Sequence, residues 1–272
     1  MNNHSYFAGS VGKQAVARKK TNDLIDHMPQ DEQSGKRKAK KKAGCRKELI
    51  FRGVEYAFRW CPAGKFTMGS PESELGRKKN ESQHQVTLAR GFWMLETQVT
   101  QEMWESVMGS NPSYWNGRQL PVERVSWNDS QEYIDELNAL GVAPRGYRFL
   151  LPTEEQWEYA CRAGTTTAWN SNKNLTNATA AYPNLDEVGW YGKNSGERTR
   201  LVRQKEPNKW GLYDMHGNVW EWCLDWYDGS HRVLRGGSWH SYVRYCRSAS
   251  RNFSGQTSQA NRIGLRLVLV HE

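Results

Sequence analysis

The residues able to do chemistry are unevenly placed along this 272-residue chain. Asp214 and Glu221 flank Gly217 and Asn218 in the run DMHGNVWEW. Carboxylates on either side of a tight turn offer the oxygen atoms that a hard cation prefers. The competing arrangement is an ion pair of these carboxylates with Arg235 or another base. Five cysteines, Cys45, Cys61, Cys161, Cys223 and Cys246, are scattered without a CxxC pair. Neither a zinc ribbon nor a disulfide framework reads out, and the thiols are expected as small buried hydrophobes. The seven histidines form no HxxxH cluster; His216, near Asp214, is a candidate general base or a structural side chain. A GxSxG elbow, a P-loop and a GxGxxG turn are all missing from the sequence, which removes the commonest hydrolase and nucleotide-binding signatures.

The elements that must position these residues can be read from their start and stop signals. Thr100 can cap a helix that carries Trp104, Val107 and Met108 on one face and stops at Gly109. Ser126, with Asp129 at the third helical position, caps a second; its stripe is Tyr133, Ile134, Leu137 and Leu140, and it ends at Gly141. Thr153 and Gln156 make a capping box for TEEQWEYACRA, closed by Gly164. Val54 to Met68 has strand character, broken at Pro62-Ala63-Gly64 as a hairpin-like turn. Beyond Gly164 no helix stands out, and short strands are expected at Val219–Trp222, Arg232–Leu234 and Leu265–Val270. This order of elements predicts an α+β domain with short antiparallel strands, two to three helices and much loop.

Charge divides the chain. Residues 1–48 carry a net +7, including the run Lys36, Arg37, Lys38, Lys40, Lys41 and Lys42, and residues 232–270 hold seven Arg with no Lys, Asp or Glu. The body between them is acidic. Residues 1–48 read as a basic tail whose self-repulsion opposes compaction, and 49–272 as the folded domain. The tail is a solubilising tether, or it makes weak phosphate-type contacts with nucleic acid or another acidic partner. Mean hydropathy is −0.86. With no long apolar run and no leader-like stretch, an integral membrane protein is excluded and a cytoplasmic location is the default, surface display staying open.

The motifs then resemble a family. GKFTMGSP, ETQVTQEMWESVMG, LPVERVSWNDSQEYIDELN, RFLLPTEEQWEYACRAG, GLYDMHGNVWEWCLDW and RVLRGGSW are similar, in order, to the domain shared by formylglycine-generating enzymes (sulfatase-modifying factors). The resemblance spans roughly 54–270 and implies an elaborated C-type-lectin-like fold. It also implies a structural calcium site on Asp214, the carbonyls of Gly217 and Val219, and Glu221. The enzymes use a copper ion held by two cysteines after the RGGS motif, a soft pair suited to Cu(I). Here RGGSW is followed by a lone Cys246, so no copper is expected, and no catalytic residue is assigned.

The carboxyl-terminal stretch, about 235–267, resembles the variable region of diversity-generating retroelement proteins, which display substitutable residues on the same lectin-like fold. In that system template adenines are randomised, so AAC codons become NNC, which never encodes Lys, Glu, Gln, Met or Trp. The positions that match are His240, Ser241, Tyr242, Tyr245, Ser250, Asn252, Phe253, Ser254, Gly255, Ser258, Ala260, Asn261 and Arg262, and all thirteen comply. Trp239, Cys246, Arg247, Ala249, Arg251, Gly264, Arg266 and Leu267 match the fixed framework, whereas Val243, Gln256, Thr257, Gln259 and Leu265 depart from it. The mixture of Tyr, His, Ser, Asn, Phe and Arg is similar to an antibody paratope. Tyr242, Tyr245, Phe253 and Arg262 are the expected principal contacts.

Three functions therefore compete: a non-catalytic binder of a protein or of a cell-surface or phage component, a formylglycine-generating-type oxidase or related oxygenase acting on a Cys-containing substrate, and an invariant interaction domain. The first expectation requires framework residues packed inside and the thirteen positions facing outward.

Overall fold

A computed structural model describes residues 41–175 and 183–272. Most of the tail expected over 1–48, including its run from Lys36 to Lys40, lies outside the described residues. Lys41 and Lys42 are exposed, and the first strand already begins at Arg46, so a boundary after residue 48 falls inside a strand.

The strands are β1 (Arg46–Phe51), β2 (Val54–Cys61), β3 (Gly64–Met68), β4 (His84–Leu88), β5 (Phe92–Leu95), β6 (Tyr147–Leu150), β7 (Gly189–Trp190), β8 (His216–Gly217), β9 (Trp220–Trp226), β10 (His231–Arg235), β11 (Arg251–Gly255), β12 (Ile263–Gly264) and β13 (Val268–His271). The helices are α1 (Gln101–Met108), α2 (Trp127–Ala139), α3 (Glu154–Arg162) and the single turn α4 (Pro183–Asp186), with a 3₁₀ turn at Val243–Cys246. A five-stranded sheet runs β1-β2-β5-β13-β6, and a four-stranded one runs β11-β10-β9-β12. This is the α+β arrangement expected.

The three longer helices start where their caps require. The side chains of Thr100, Ser126 and Thr153 each accept from the third helical N–H, and Asp129 and Gln156 complete the two capping boxes. Leu140 departs from the expected stripe. It is the C-cap of α2 and 42% exposed: its N–H still bonds to Glu136 O, but the helix ends there and the buried stripe stops at Leu137.

Pro62-Ala63-Gly64 is not a hairpin. β2 pairs with β1 and β5, while β3 pairs with β4, so the turn passes the chain from one sheet to another. Both edges of β2 are already occupied, which leaves β3 to find its partner elsewhere. The strand expected over 265–270 begins only at Val268. Leu265 and Leu267 still accept from Val99 and Leu95 through their carbonyls, while Arg266 between them turns inward.

One apolar cluster gathers Tyr56, Phe58, Trp93, Trp104, Tyr133, Phe149, Trp220 and Trp222, and a second holds Phe92, Trp157, Leu212, Met215 and Val233. Each large side chain removed from water stabilises by roughly 1.5–3 kcal/mol, so these rings fix the loops that leave the sheets. Cys61, Cys161, Cys223 and Cys246 are buried and Cys45 half-buried, all as free thiols.

Candidate functional site

The calcium expectation converges on one point. Around Gln98 Nε2 lie Asp214 O at 3.3 Å, Gly217 O at 3.1 Å, Val219 O at 3.0 Å and Glu221 Oε1 at 3.0 Å. The sequence-predicted residues are therefore together, although Asp214 turns its main-chain oxygen inward. Its Oδ2 accepts from the Arg203 N–H at 2.9 Å instead. Gly217 makes the approach feasible: its φ is +93°, and a Cβ there would meet Trp190 O at 1.9 Å.

A primary amide has two protons for these four acceptors, and Gln98 Oε1 is itself buried without a partner. Reversing the amide would place a fifth oxygen at the same centre. The donor set therefore fits a hard cation. Gln98 was missed in the sequence, where its signal is a lone amide in the apolar stretch FWMLETQV.

The competing ion pair is present at Glu221, with Arg266 rather than Arg235 as the base. Arg266 donates to Glu221 from Nε at 2.9 Å and Nη2 at 2.8 Å, and Trp157 Nε1 adds a third bond at 2.6 Å. Arg235 pairs with Glu158 instead. Burial pushes the Asp214 carboxyl up to about 6, partly countered by the Arg203 N–H and the Arg266 charge. His216 is structural: Nδ1 donates to Cys246 O at 2.8 Å and Nε2 accepts from Asn170 N, and burial lowers it to about 4.

The second site is an open cavity of about 1040 Å³. Of the thirteen candidates, His240, Ser241, Tyr242, Tyr245, Asn252 and Arg262 line it. Tyr242 is 73% exposed. Gly237, at φ +81°, lets the chain turn between β10 and this wall, because a Cβ would lie 2.5 Å from Cys246 Sγ. Trp239 anchors the segment by donating its Nε1 proton to Asn261 O at 2.8 Å.

The remaining candidates divide. Ser254, Gly255, Ser258, Ala260 and Asn261 are half-buried on β11 and the loop that follows it. That loop abuts the start of α2, through Asn128 N to Gln256 O and Gln259 to Asp129. Phe253 is 43% exposed but does not join the cavity. Strand alternation sends it to the face opposite Asn252, where it stacks on Tyr227 with centroids 4.4 Å apart. Ser241 and Ser250 contradict the outward expectation. Ser241 is 8% exposed and Ser250 fully buried, the first bonding to Ser238 and the second lying behind the Arg235 guanidinium through its carbonyl.

The framework residues behave as expected. Arg235, Arg247 and Arg266 are completely buried, and Arg247 reaches Glu81 at 2.7 Å across 166 residues of sequence. Arg251 takes Glu154. Lys78, Tyr191, Lys193 and Glu197 also line the cavity and were not foreseen, because they come from distant loops.

Comparison with known proteins bears on the family and the fold. A model of the sulfatase-modifying factor enzyme 1-like domain matches residues 55–270. The chain is 32% identical over 220 residues to chaperone protein LppX of Paenibacillus barcinonensis, covering 61% of this chain and 75% of that one. It is 31% identical over 230 residues to the mouse formylglycine-generating enzyme, covering 74% of this chain and 57% of the enzyme. The chain thus spans little more than half of that enzyme. Other relatives are named inactive formylglycine-generating enzyme 2. Among solved structures, Treponema denticola variable protein 1 superimposes with a TM-score of 0.72 at 29% identity, over 82% of this chain and 98% of that protein. The fold is the C-type-lectin-like one expected from the motifs.

Proposed function

We propose that this chain, which belongs to the sulfatase-modifying factor enzyme 1-like family, is a non-catalytic binding protein that presents a variable surface to a protein or a cell-surface or phage component. The observation that carries the reading is the division within residues 235–267. Framework arginines are buried against carboxylates of the body, while His240, Tyr242, Tyr245, Asn252 and Arg262 line one open cavity. A wall held by charge-assisted bonds and packed rings keeps its backbone when its outward side chains change. Tyrosine supplies contact area at low entropic cost, and Ser and Asn supply adaptable hydrogen bonds. The likeness to a protein named as variable supports the same reading.

The oxidase reading is the weaker one. A copper site of the family kind needs two thiolates on one ion. Cys246 is fully buried, its thiol pushed up to about 12 by that burial. It packs with Trp169, Leu185 and Tyr191, whereas Cys223 packs with Phe92 and Val233 in another cluster. These residues do not fit the copper pair. Among the described residues no group of three or more His, Cys, Asp or Glu could hold a metal.

The oxygen cluster around Gln98 is proposed to take calcium in a structural role, pinning the β8–β9 turn beneath the RGGSW segment. No helix among the described residues is long and apolar enough to cross a membrane.

The deciding experiment is sequencing of the gene and its surroundings. A near-copy of the region encoding 235–267, differing at template adenines, beside a reverse transcriptase gene is the expected result. Turnover of a Cys-containing peptide by copper-loaded protein, with no such copy, would overturn it.

A further inference from the structure

We propose that the cavity selects acidic peptide segments, through Lys78 and Arg244, two cations outside the substitutable positions. This deepens, and rests on, the ligand-binding reading. The arginines of residues 232–270 fall into distinct groups. Arg235, Arg247, Arg251 and Arg266 are matched to Glu158, Glu81, Glu154 and Glu221. Arg232 lies between the rings of Trp127 and Trp226. Arg244 and Arg262, both exposed on the cavity, have no carboxylate within ion-pair distance among the described residues, and of the two only Arg244 lies outside the thirteen substitutable positions.

Lys78 lines the same cavity from another loop, and Glu197 is the only carboxylate on the wall among the described residues. Lys78 Nζ sits 4.5 Å from the centre of the Tyr245 ring and Arg244 Cζ sits 4.9 Å from it. Arg244 also donates to the Tyr245 hydroxyl at 3.1 Å. Two like charges gathered on one ring repel each other, and a carboxylate entering between them turns that cost into charge-assisted bonding.

Lys78 and Arg244 are not among the thirteen substitutable positions. Changes at Tyr242, Asn252 or His240 therefore alter shape and hydrogen bonding while these two cations stay in place. Complementary charge mainly sets encounter rate and excludes wrong partners, which is what a constant part of a variable site can supply.

The occupant is a peptide rather than a nucleic acid because Lys78 and Arg244 converge on one ring instead of tracking along a groove, which suits a side-chain carboxylate and not a phosphate backbone. Trp220 and Trp239 are 5% and 8% exposed, and Trp239 is packed edge-on against Trp115. These two rings are closed to base stacking, and the exposed Tyr242 ring is what an oligonucleotide probe tests. A volume of about 1040 Å³ accommodates several residues of a loop rather than a single side chain.

The test uses the full chain and fluorescence anisotropy with three probes: a blocked peptide of alternating Glu and Tyr, the same peptide with Gln for Glu, and a single-stranded oligonucleotide of equal charge. The Glu peptide is expected to bind about tenfold tighter than the Gln peptide, and the difference to shrink as salt rises. Lys78→Gln with Arg244→Gln should abolish that difference, and Lys78→Arg should retain it, with circular dichroism reporting the fold. Equal affinity for the two peptides, or no binding of either, overturns the inference. Equal binding of the two peptides that is lost in Tyr242→Ala would overturn the acidic preference while leaving the binding reading intact. Tighter oligonucleotide binding that depends on Lys78 and Arg244 would overturn the choice of a peptide.

Discussion

Arg266 grips Glu221 through Nε and Nη2 at 2.9 and 2.8 Å, and neither side chain reaches solvent. Arg266 also donates to the carbonyls of Leu95 and Tyr213, so one guanidinium joins three separate segments to β9. Removing one partner strands the other charge in the interior. Arg266→Met is expected to cost about 3–5 kcal/mol, and the double variant Arg266→Met, Glu221→Gln less than the sum of its parts. Chemical denaturation of the two single variants and the double one measures it. Additive losses would mean that the pair is not coupled.

Calcium is expected to raise the melting temperature and EGTA to reverse it. At about a hundredfold excess over its dissociation constant a cation contributes about 2.7 kcal/mol. Gln98→Ala should remove the response, since Gln98 Oε1 is the oxygen without another partner. A melting temperature indifferent to both additives refutes the site.

The Asp214 carboxyl gives a pH signature. Burial raises it to about 6 in the folded chain, above its unfolded value. The folded state then holds the proton more tightly, so the contribution is fully present at low pH and is lost as pH rises towards and through about 6. With EGTA present, Asp214→Asn should therefore be more stable than the parent at pH 7, by up to about 3 kcal/mol, and the gap should close near pH 4. Melting curves at the two pH values decide it, and a gap that widens on acidification would reverse the sign.

The helices were legible because their signals are local. Thr100, Ser126 and Thr153 each make their capping bond within three residues. The pairs that position the cavity are not local: Arg247 finds Glu81 and Arg235 finds Glu158 across 166 and 77 residues. Charge balance implied such pairing without naming partners. The oxygen donors Gly217, Val219 and Glu221 were readable from the motif, but the side chain at their centre, Gln98, comes from a loop 119 residues earlier than Gly217. Phe253 was misplaced for another reason. β11 had no visible strand pattern in SRNFSGQ, so the alternation that separates Phe253 from Asn252 could not be applied.

The burial of Ser241 and Ser250 sharpens the variation hypothesis into a test of tolerance. An NNC codon permits Tyr at any of the thirteen positions, yet the fold does not receive it equally. At position 242 the side chain is 73% exposed, so Tyr242→Ser should change stability by no more than about 0.5 kcal/mol while weakening ligand binding. Ser250 is fully buried and its carbonyl accepts from Arg235 Nη1 at 2.8 Å. A phenol has no free space at this fully buried position, so Ser250→Tyr should cost about 3 kcal/mol through overpacking. Ser241→Tyr should fall between, because Ser241 bonds Ser238 but borders the cavity. Thermal melts of the three variants rank them, and a Ser250→Tyr protein as stable as its parent would show that the wall is looser than its packing implies.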